Sequence, residues 1–166
     1  NFRPDRAREL TRALATEDFT DFSRANGRPL RAYACMTTYD RSLPLPVAFP
    51  KETYADIFPE VIAAAGFTQF RCAETEKYAH VTYFFNGGRE EPFAGEERQM
   101  VASPKDVATY DLKPEMSARA VADAAVRAID SKAFDFVLIN FANPDMVGHT
   151  GVLGAAVSAV ECEIGR

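Results

Sequence analysis

Asp145 and His149 are two possible metal ligands, spaced four residues apart and close behind Pro144. A helix that begins near Pro144 would place positions 145 and 149 one above the other on the same face. A carboxylate oxygen and an imidazole nitrogen together suit a divalent ion such as manganese or zinc. The spacing also fits a structural role, with Asp145 capping the helix and His149 at the surface, because two residues alone do not define a site.

The residues just before this pair, 134–141, form a nearly continuous apolar run rich in aromatic and β-branched side chains. Such a run is typical of a parallel strand that is covered on both faces. In open α/β sheets, ligands bind beyond the carboxyl ends of the strands. The sequence therefore predicts that Asp145 and His149 lie at the carboxyl edge of a sheet.

A second group of residues that could bind a ligand stands at the start of the chain, where Arg3 and Arg6 flank Pro4 and Asp5. Pro4 fits the first turn of a helix, and Asp5 is favourable beside the positive end of that helix. Free backbone N–H groups and two guanidinium groups would suit a phosphate or a carboxylate. The alternative is a pair of solvated arginines that interact with Asp5 and Glu9.

Lys77 lies in the first turn of a helix predicted over 74–86, just past a predicted strand. Its ammonium group could stabilise a phosphoryl group during transfer, or it could pair with Glu74 or Glu76 at the surface. His80 follows on the same helix and could be a third metal ligand. Because no carboxylate stands at ligand spacing from it, we expect instead a packed histidine with a hydrogen bond.

From residue 50 onward, predicted helices and strands alternate along the chain. The helices cover about 56–65, 74–86, 117–129 and the segments after Pro144, and the strands cover about 67–73, 98–102 and 134–141. This alternation predicts an α/β fold with a largely parallel sheet flanked by helices.

The amino-terminal part predicts a helix over about 4–14 and a short strand over about 30–36. Prolines at positions 44, 46 and 50 are incompatible with a helix interior or a central strand, so segment 44–50 is predicted to be an extended connector. We take this connector as the domain boundary. A rigid loop within one domain would have the same composition.

Composition excludes several classes of protein. The net charge of -5 argues against a general nucleic-acid surface, and no apolar stretch is long enough to span a bilayer. Three cysteines at unrelated spacings, Cys35, Cys72 and Cys162, are typical of reduced thiols in a cytoplasmic protein. The chain begins without Met and ends within an amphipathic pattern, so we expect an internal fragment of a longer polypeptide.

Several ordered segments carry a family resemblance across nearly the whole chain: 1–8, 74–82, 84–88, 90–93, 103–105, 108–111, 114–117 and 143–151. Together they resemble the cofactor-independent phosphoglycerate mutases, a family of the alkaline phosphatase superfamily. The resemblance implies a glycolytic isomerase that interconverts 3-phosphoglycerate and 2-phosphoglycerate without bisphosphoglycerate. It also implies an alkaline-phosphatase-like domain with two manganese ions and a serine nucleophile, an inserted transferase domain that binds glycerate, and a monomeric intact enzyme.

The resemblance assigns roles to individual residues. Asp145 and His149 match two ligands of one manganese ion, and Lys77 matches a catalytic lysine that contacts the substrate near the nucleophile. The segment from Arg3 to Arg6 matches substrate-binding arginines at the domain interface. Residues 1–43 would be the end of the transferase domain, 44–50 the linker, and 51–166 part of the metal-binding, phosphatase-like domain.

The resemblance also implies what the chain lacks. The family's serine nucleophile, the ligands of the second manganese ion and the third ligand of the first fall outside residues 1–166. We therefore expect the isolated chain to be inactive, and its incomplete sheet to favour self-association. Two alternatives remain open: another metal-dependent phosphohydrolase or phosphomutase of the same superfamily, and a non-catalytic fragment that binds an anion.

Overall fold

The computed structural model describes residues 4–27, 29–50, 52 and 54–164. The chain divides into two units, residues 1–53 and residues 54–166. The division falls just after the connector predicted over 44–50. Which functional domain each unit belongs to stays a prediction.

The first unit is built on helix α1, Pro4–Ala15, which matches the predicted helix. Thr11 is fully buried, and its hydroxyl donates to the carbonyl of Ala7 at 2.7 Å. Arg24 donates to the carbonyls of Ala13 and Thr16, and so satisfies acceptors at the end of the helix. In the described part of this unit, hydrogen bonds from side chains to main-chain carbonyls stabilise the fold, and there is no sheet.

The strand predicted over residues 30–36 is wrong. In the described part of this unit, the only β-contact is an isolated parallel bridge between Cys35 and Val47. The Cys35 N–H donates to the carbonyl of Pro46 at 2.8 Å, and the Ala48 N–H donates back to the carbonyl of Cys35 at 2.9 Å. Because the prolines of segment 44–50 have no N–H to donate, a longer ladder cannot form there.

Three parallel strands form the sheet of the second unit: β1 is Gln69–Glu74, β2 is Glu96–Val101 and β3 is Phe136–Asn140. Their order is β2-β1-β3, with Gln69 opposite Glu96 on one side and Phe136 on the other. The helices are α2 Phe58–Ala64, α3 Ala118–Asp130, α4 Asn143–Gly148 and α5 Leu153–Ile164. The α/β prediction with a parallel sheet is confirmed.

The main core lies between the sheet and α3. Phe70 and Cys72 of β1 pack against Val121, Ala124 and Ala128. Alternate residues of a strand point to the same face, and the small alanines of α3 allow the helix to lie close to that face. All six residues of β1 are buried, so β1 is the central strand.

The expectation that segment 134–141 forms a strand covered on both faces is wrong. Each residue of β3 is only half-buried, because β3 pairs with β1 alone among the described strands and is an edge of the sheet. The buried strand of this sheet is β1, whose sequence is less apolar.

The continuous helix predicted over 74–86 is also wrong. The segment begins with a 3₁₀ turn, Thr75–Lys77, and continues into a single π-helical turn, His80–Phe84. The Thr82 hydroxyl donates to the carbonyl of Tyr78 at 2.7 Å, a side-chain bond that competes with regular helix bonding. The chain then reverses at Gly87 and Gly88, whose φ angles of 65° and 88° favour glycine.

A buried arginine ties this irregular segment to the sheet. The Arg71 guanidinium lies 4.5 Å from the ring centre of Phe85 and 5.1 Å from that of Phe136, and it donates to the side chain of Gln69. Burial lowers the pKa of Arg71. The two aromatic faces stabilise the cation where water cannot reach it, so the residues after the π turn are fixed relative to β1 and β3.

Candidate functional site

The carboxyl ends of β1 and β3 bring Lys77, Asp145 and His149 together. Lys77 ends the 3₁₀ turn that follows β1, and Asp145 lies in α4, which follows β3 after two residues. As predicted, Pro144 occupies the first turn of α4. The His149 N–H donates to the Asp145 carbonyl at 3.1 Å, so the two side chains lie one helical turn apart.

Helix α4 is held in place by a buried amide. The Asn143 side chain is fully buried, and its Nδ2 donates to the carbonyl of Ala159 in α5 at 2.9 Å. Val147 packs into a second core cluster with Ala155. A buried polar group that has a hydrogen-bond partner restricts the orientation of its helix. Helix α4, which carries Asp145, is therefore held against α5.

Each carboxylate oxygen of Asp145 faces a different side chain. Lys77 Nζ forms an ion pair with Oδ2, and His149 Nε2 lies 3.4 Å from Oδ1. The exposed fractions of the three side chains are 13% for Lys77, 51% for Asp145 and 77% for His149. Lys77 thus pairs with Asp145, and neither Glu74 nor Glu76 is its partner in this ion pair.

The charge state of Asp145 follows from these neighbours. The hydrogen bond from Lys77 is the largest cause of a lowered pKa at the Asp145 carboxyl, and the charges of His149 and His80 add to it. Partial burial acts in the opposite direction. Asp145 is therefore an anionic oxygen donor at neutral pH.

His80 is exposed, so the expectation of a packed histidine is wrong. It is the first residue of the π turn, and its ring lies 5.4 Å from that of Phe84. The buried positions of the turn are taken by Val81 and Thr82. His80 therefore faces solvent, in the turn that follows Lys77.

The donor atoms of Asp145 and His149 fit a divalent metal ion by their chemistry, a carboxylate oxygen beside an imidazole nitrogen. Across the described ranges, however, no cluster of three His, Cys, Asp or Glu side chains is close enough to hold a metal. The described residues thus place one carboxylate beside one imidazole and provide no complete ligand shell.

A buried carboxylate that was not predicted from the sequence lies at this edge. Glu74, the last residue of β1, is fully buried, and its Oε1 accepts the N–H of Ser117 at 2.9 Å. Ser117 occupies the cap position of α3, but its hydroxyl donates to the carbonyl of Ala102 at 2.8 Å. The available signal was an acidic residue placed directly after the predicted strand 67–73.

A second missed contact involves Glu76. Its Oε1 accepts the hydroxyl of Tyr110 at 2.8 Å. Burial, followed by the Glu76 hydrogen bond and charge, raises the pKa of Tyr110. Glu76, the residue before Lys77, is therefore hydrogen-bonded to the segment that precedes α3.

The predicted anion-binding group lies in the first unit. Arg3 falls outside the described residues, and the side chains of Pro4 and Asp5 are likewise not described. The backbone of α1 does begin at Pro4, as the sequence predicts, and Arg6 is exposed. The substrate-binding role of this group stays a prediction.

Comparisons with known proteins agree with this arrangement. A relative from Syntrophotalea carbinolica named 2,3-bisphosphoglycerate-independent phosphoglycerate mutase is 60% identical over 161 residues, covering 97% of this chain. A protein of the same name from Pseudomonas putida is 57% identical over 161 residues. The chain spans about 31% of the length of either relative.

Among solved structures, phosphoglycerate mutase from Leishmania mexicana, crystallised at low cobalt concentration, matches with a TM-score of 0.71 and 38% identity. The match covers 93% of this chain and 28% of that one. The resemblance to cofactor-independent phosphoglycerate mutases is thus confirmed. Since the model of the Metalloenzyme superfamily matches residues 14–162, this chain belongs to the Metalloenzyme superfamily.

Proposed function

We propose that this chain is part of a phosphoglycerate mutase that interconverts 3-phosphoglycerate and 2-phosphoglycerate in cytoplasmic glycolysis, through a phosphoserine and without bisphosphoglycerate. The observation that carries the proposal is Asp145, with Lys77 on one oxygen and His149 beside the other. The names of relatives that match 97% of the chain support the same substrate pair.

Asp145 and His149 would hold one ion, which we propose to be manganese. A bound divalent ion lowers the pKa of a nucleophilic hydroxyl and neutralises charge on the phosphoryl oxygens. The cobalt named for the Leishmania mexicana crystals supports a divalent ion of this class. The remaining ligands and the serine nucleophile would come from the part of the relatives' length that this chain does not span.

Lys77 would bind and orient the transferring phosphoryl group. Its side chain is largely covered, and its ammonium group already faces an anionic oxygen at the sheet edge. Because the ammonium group is already in place, little reorganisation is needed when negative charge develops on the phosphoryl group during transfer. Arg3 and Arg6 would bind the substrate through their guanidinium groups.

The proposed domain arrangement places residues 1–43 at the end of a transferase domain, 44–50 in a linker and 51–166 in a phosphatase-like domain. The division of the structure between residues 53 and 54 supports a boundary in this region. No helix in the described ranges is long and apolar enough to cross a membrane.

The proposal is tested by a chimaera in which this chain replaces the matching 161-residue segment of the Syntrophotalea carbinolica relative. We expect conversion of 3-phosphoglycerate without bisphosphoglycerate that is lost after chelation, restored by manganese and lost again in His149→Ala. The unmodified relative is the control. A folded chimaera that prefers a phosphopentose, or that turns over without any metal, would contradict the proposal.

We expect the 166-residue chain by itself to show no mutase activity, because its described residues provide only two ligands and two ligands bind manganese weakly. The measurement is the same coupled assay on purified chain of verified 18.3 kDa mass. Turnover comparable to that of the chimaera would show this expectation to be wrong.

A further inference from the structure

Glu74 is a buried carboxylate placed immediately before the turn that carries Lys77. It shares the sheet face of Phe70 and Cys72, the face that packs on α3. Burial raises the pKa of its carboxyl, and Oε2 makes no hydrogen bond to any residue that the structure describes. Packing alone would be served better by an apolar side chain, since an incompletely bonded buried acid is costly.

The hydrogen bonds around Glu74 explain why a buried carboxylate is placed here. Glu74 Oε1 accepts the Ser117 N–H, and the Ser117 hydroxyl donates to Ala102, the residue after β2. The Ser103 N–H in turn donates to the Thr75 hydroxyl at 3.2 Å. The residues that follow β1, follow β2 and precede α3 are thereby joined in one hydrogen-bonded ring around Glu74.

The backbone next to Ser117 shows that this ring is under constraint. Met116 is buried and adopts a φ of 44°, in the left-handed region. A residue with a side chain persists there only where its surroundings enforce it. This conformation points the Ser117 N–H toward β1, where Glu74 accepts it.

The turn anchored by Glu74 ends at Lys77. Glu74 is the residue from which the Thr75–Lys77 turn starts, and the Tyr78 N–H closes it on the carbonyl of Thr75. A small shift of this turn would be carried to the Lys77 ammonium, and a misplacement of about 1 Å at a reacting group can reduce a rate about 10²-fold.

We propose that Glu74 is a positioning residue, which holds the Thr75–Lys77 turn against the start of α3 and thereby sets the place of the Lys77 ammonium beside Asp145. The catalytic consequence rests on the proposed function. The placement of the ammonium group does not, and it can be measured directly on this chain.

The first test measures how fast the Lys77 amine is acetylated by a limiting active ester, with peptide mass spectrometry as the readout. Lys113, which pairs with Asp106 at 3.0 Å, is the internal reference. The side chain in Glu74→Asp is one methylene shorter. We expect the acetylation rate of Lys77 to rise about fivefold and that of Lys113 to stay constant, because the Thr75–Lys77 turn opens locally. Glu74→Gln keeps an acceptor oxygen for Ser117 and provides a second, milder variant.

Glu163→Asp is the matched control, because it shortens another partly buried acid, in α5, whose pKa is also raised by burial. It should leave Lys77 labelling unchanged. The proposal is overturned if Lys77 labelling is unchanged in folded Glu74→Asp and Glu74→Gln, or if both lysines become equally more reactive. A selective rise at Lys77 in either variant supports it.

The second test is a double-mutant cycle in the active chimaera. We expect Glu74→Asp to lower kcat about tenfold, and to cause no further loss when Lys77→Ala is already present, because both changes then act through one group. Losses that multiply would overturn the proposal. If the unmutated chimaera has no activity, the proposed function fails, and the labelling experiment still decides whether Glu74 positions Lys77.

Discussion

Asp145→Asn in the chimaera is expected to reduce kcat by about 10³-fold, at the upper end of losses seen when one electrostatic contact to a reacting group is removed. The substitution keeps the shape of the side chain but removes its charge. Asp145 loses its ion pair with Lys77 and its anionic oxygen beside His149 in one step. The measurement is kcat at saturating manganese and 3-phosphoglycerate.

Asp130→Asn is the matched control for this experiment. Asp130 is exposed at the end of α3, and α3 begins at the sheet edge that carries Asp145 and runs away from it. The same loss of charge there should leave kcat within about a factor of two, since isolated surface charges contribute little. An Asp145→Asn chimaera that keeps a tenth of its activity would show that this carboxylate is not essential to the site.

Glu96→Ala is expected to destabilise the chain by about 3–5 kcal/mol, the usual cost of removing one partner of a buried ion pair. The Glu96 carboxylate has no exposed surface and accepts Arg98 Nε at 2.7 Å, the Asn86 side chain at 2.8 Å and the Phe93 N–H at 2.9 Å. Its loss leaves the Arg98 guanidinium half-satisfied beside the sheet. Urea unfolding of the chain, followed by circular dichroism, measures the change.

The pH dependence provides an independent readout of the same group. Burial would raise the pKa of the Glu96 carboxyl, but the hydrogen bonds from Phe93, Arg98 and Asn86 outweigh it and lower that pKa. A carboxyl with a lowered folded pKa contributes stability above its unfolded pKa of about 4.3 and loses it as pH falls. Glu96→Gln should therefore flatten the fall in unfolding free energy below about pH 4.3.

Glu97→Ala is the control on the same strand, because Glu97 is exposed and its side chain points to the opposite face. We expect it to change stability by no more than about 0.5 kcal/mol. Equal effects of Glu96→Ala and Glu97→Ala would refute the buried-pair explanation.

The local parts of the site could be predicted from the sequence. Pro144 marks the start of α4, and the spacing of Asp145 and His149 places them on one helical face, as observed. The three strands of the sheet lie within a few residues of their predicted bounds, because their side-chain patterns are local. The pairing of Lys77 with Asp145 joins residues 68 positions apart. It depends on the register of β1 with β3, which no local pattern specifies.

The failed predictions share the same cause. Residues 30–36 resemble a strand, but a strand requires a partner with free N–H groups, and the facing segment contains Pro44 and Pro46. Segment 74–86 resembles a helix, but it contains a 3₁₀ turn and a π turn, and Glu74 at its start bonds to Ser117, which is distant in sequence. Glu74 itself was read as a helix start, since nothing in the sequence alone indicates that its carboxylate is buried.

The parallel order of the sheet has a consequence for how the chain folds. Thr68 and Asp135, the residues just before β1 and β3, hydrogen-bond across 67 positions of sequence. Closing such a long loop costs chain entropy before any contact compensates for it, so domains dominated by distant pairings fold slowly. Until β3 pairs with β1, the apolar residues of both strands can aggregate with other chains. We therefore expect soluble material from refolding at low protein concentration or with a chaperone.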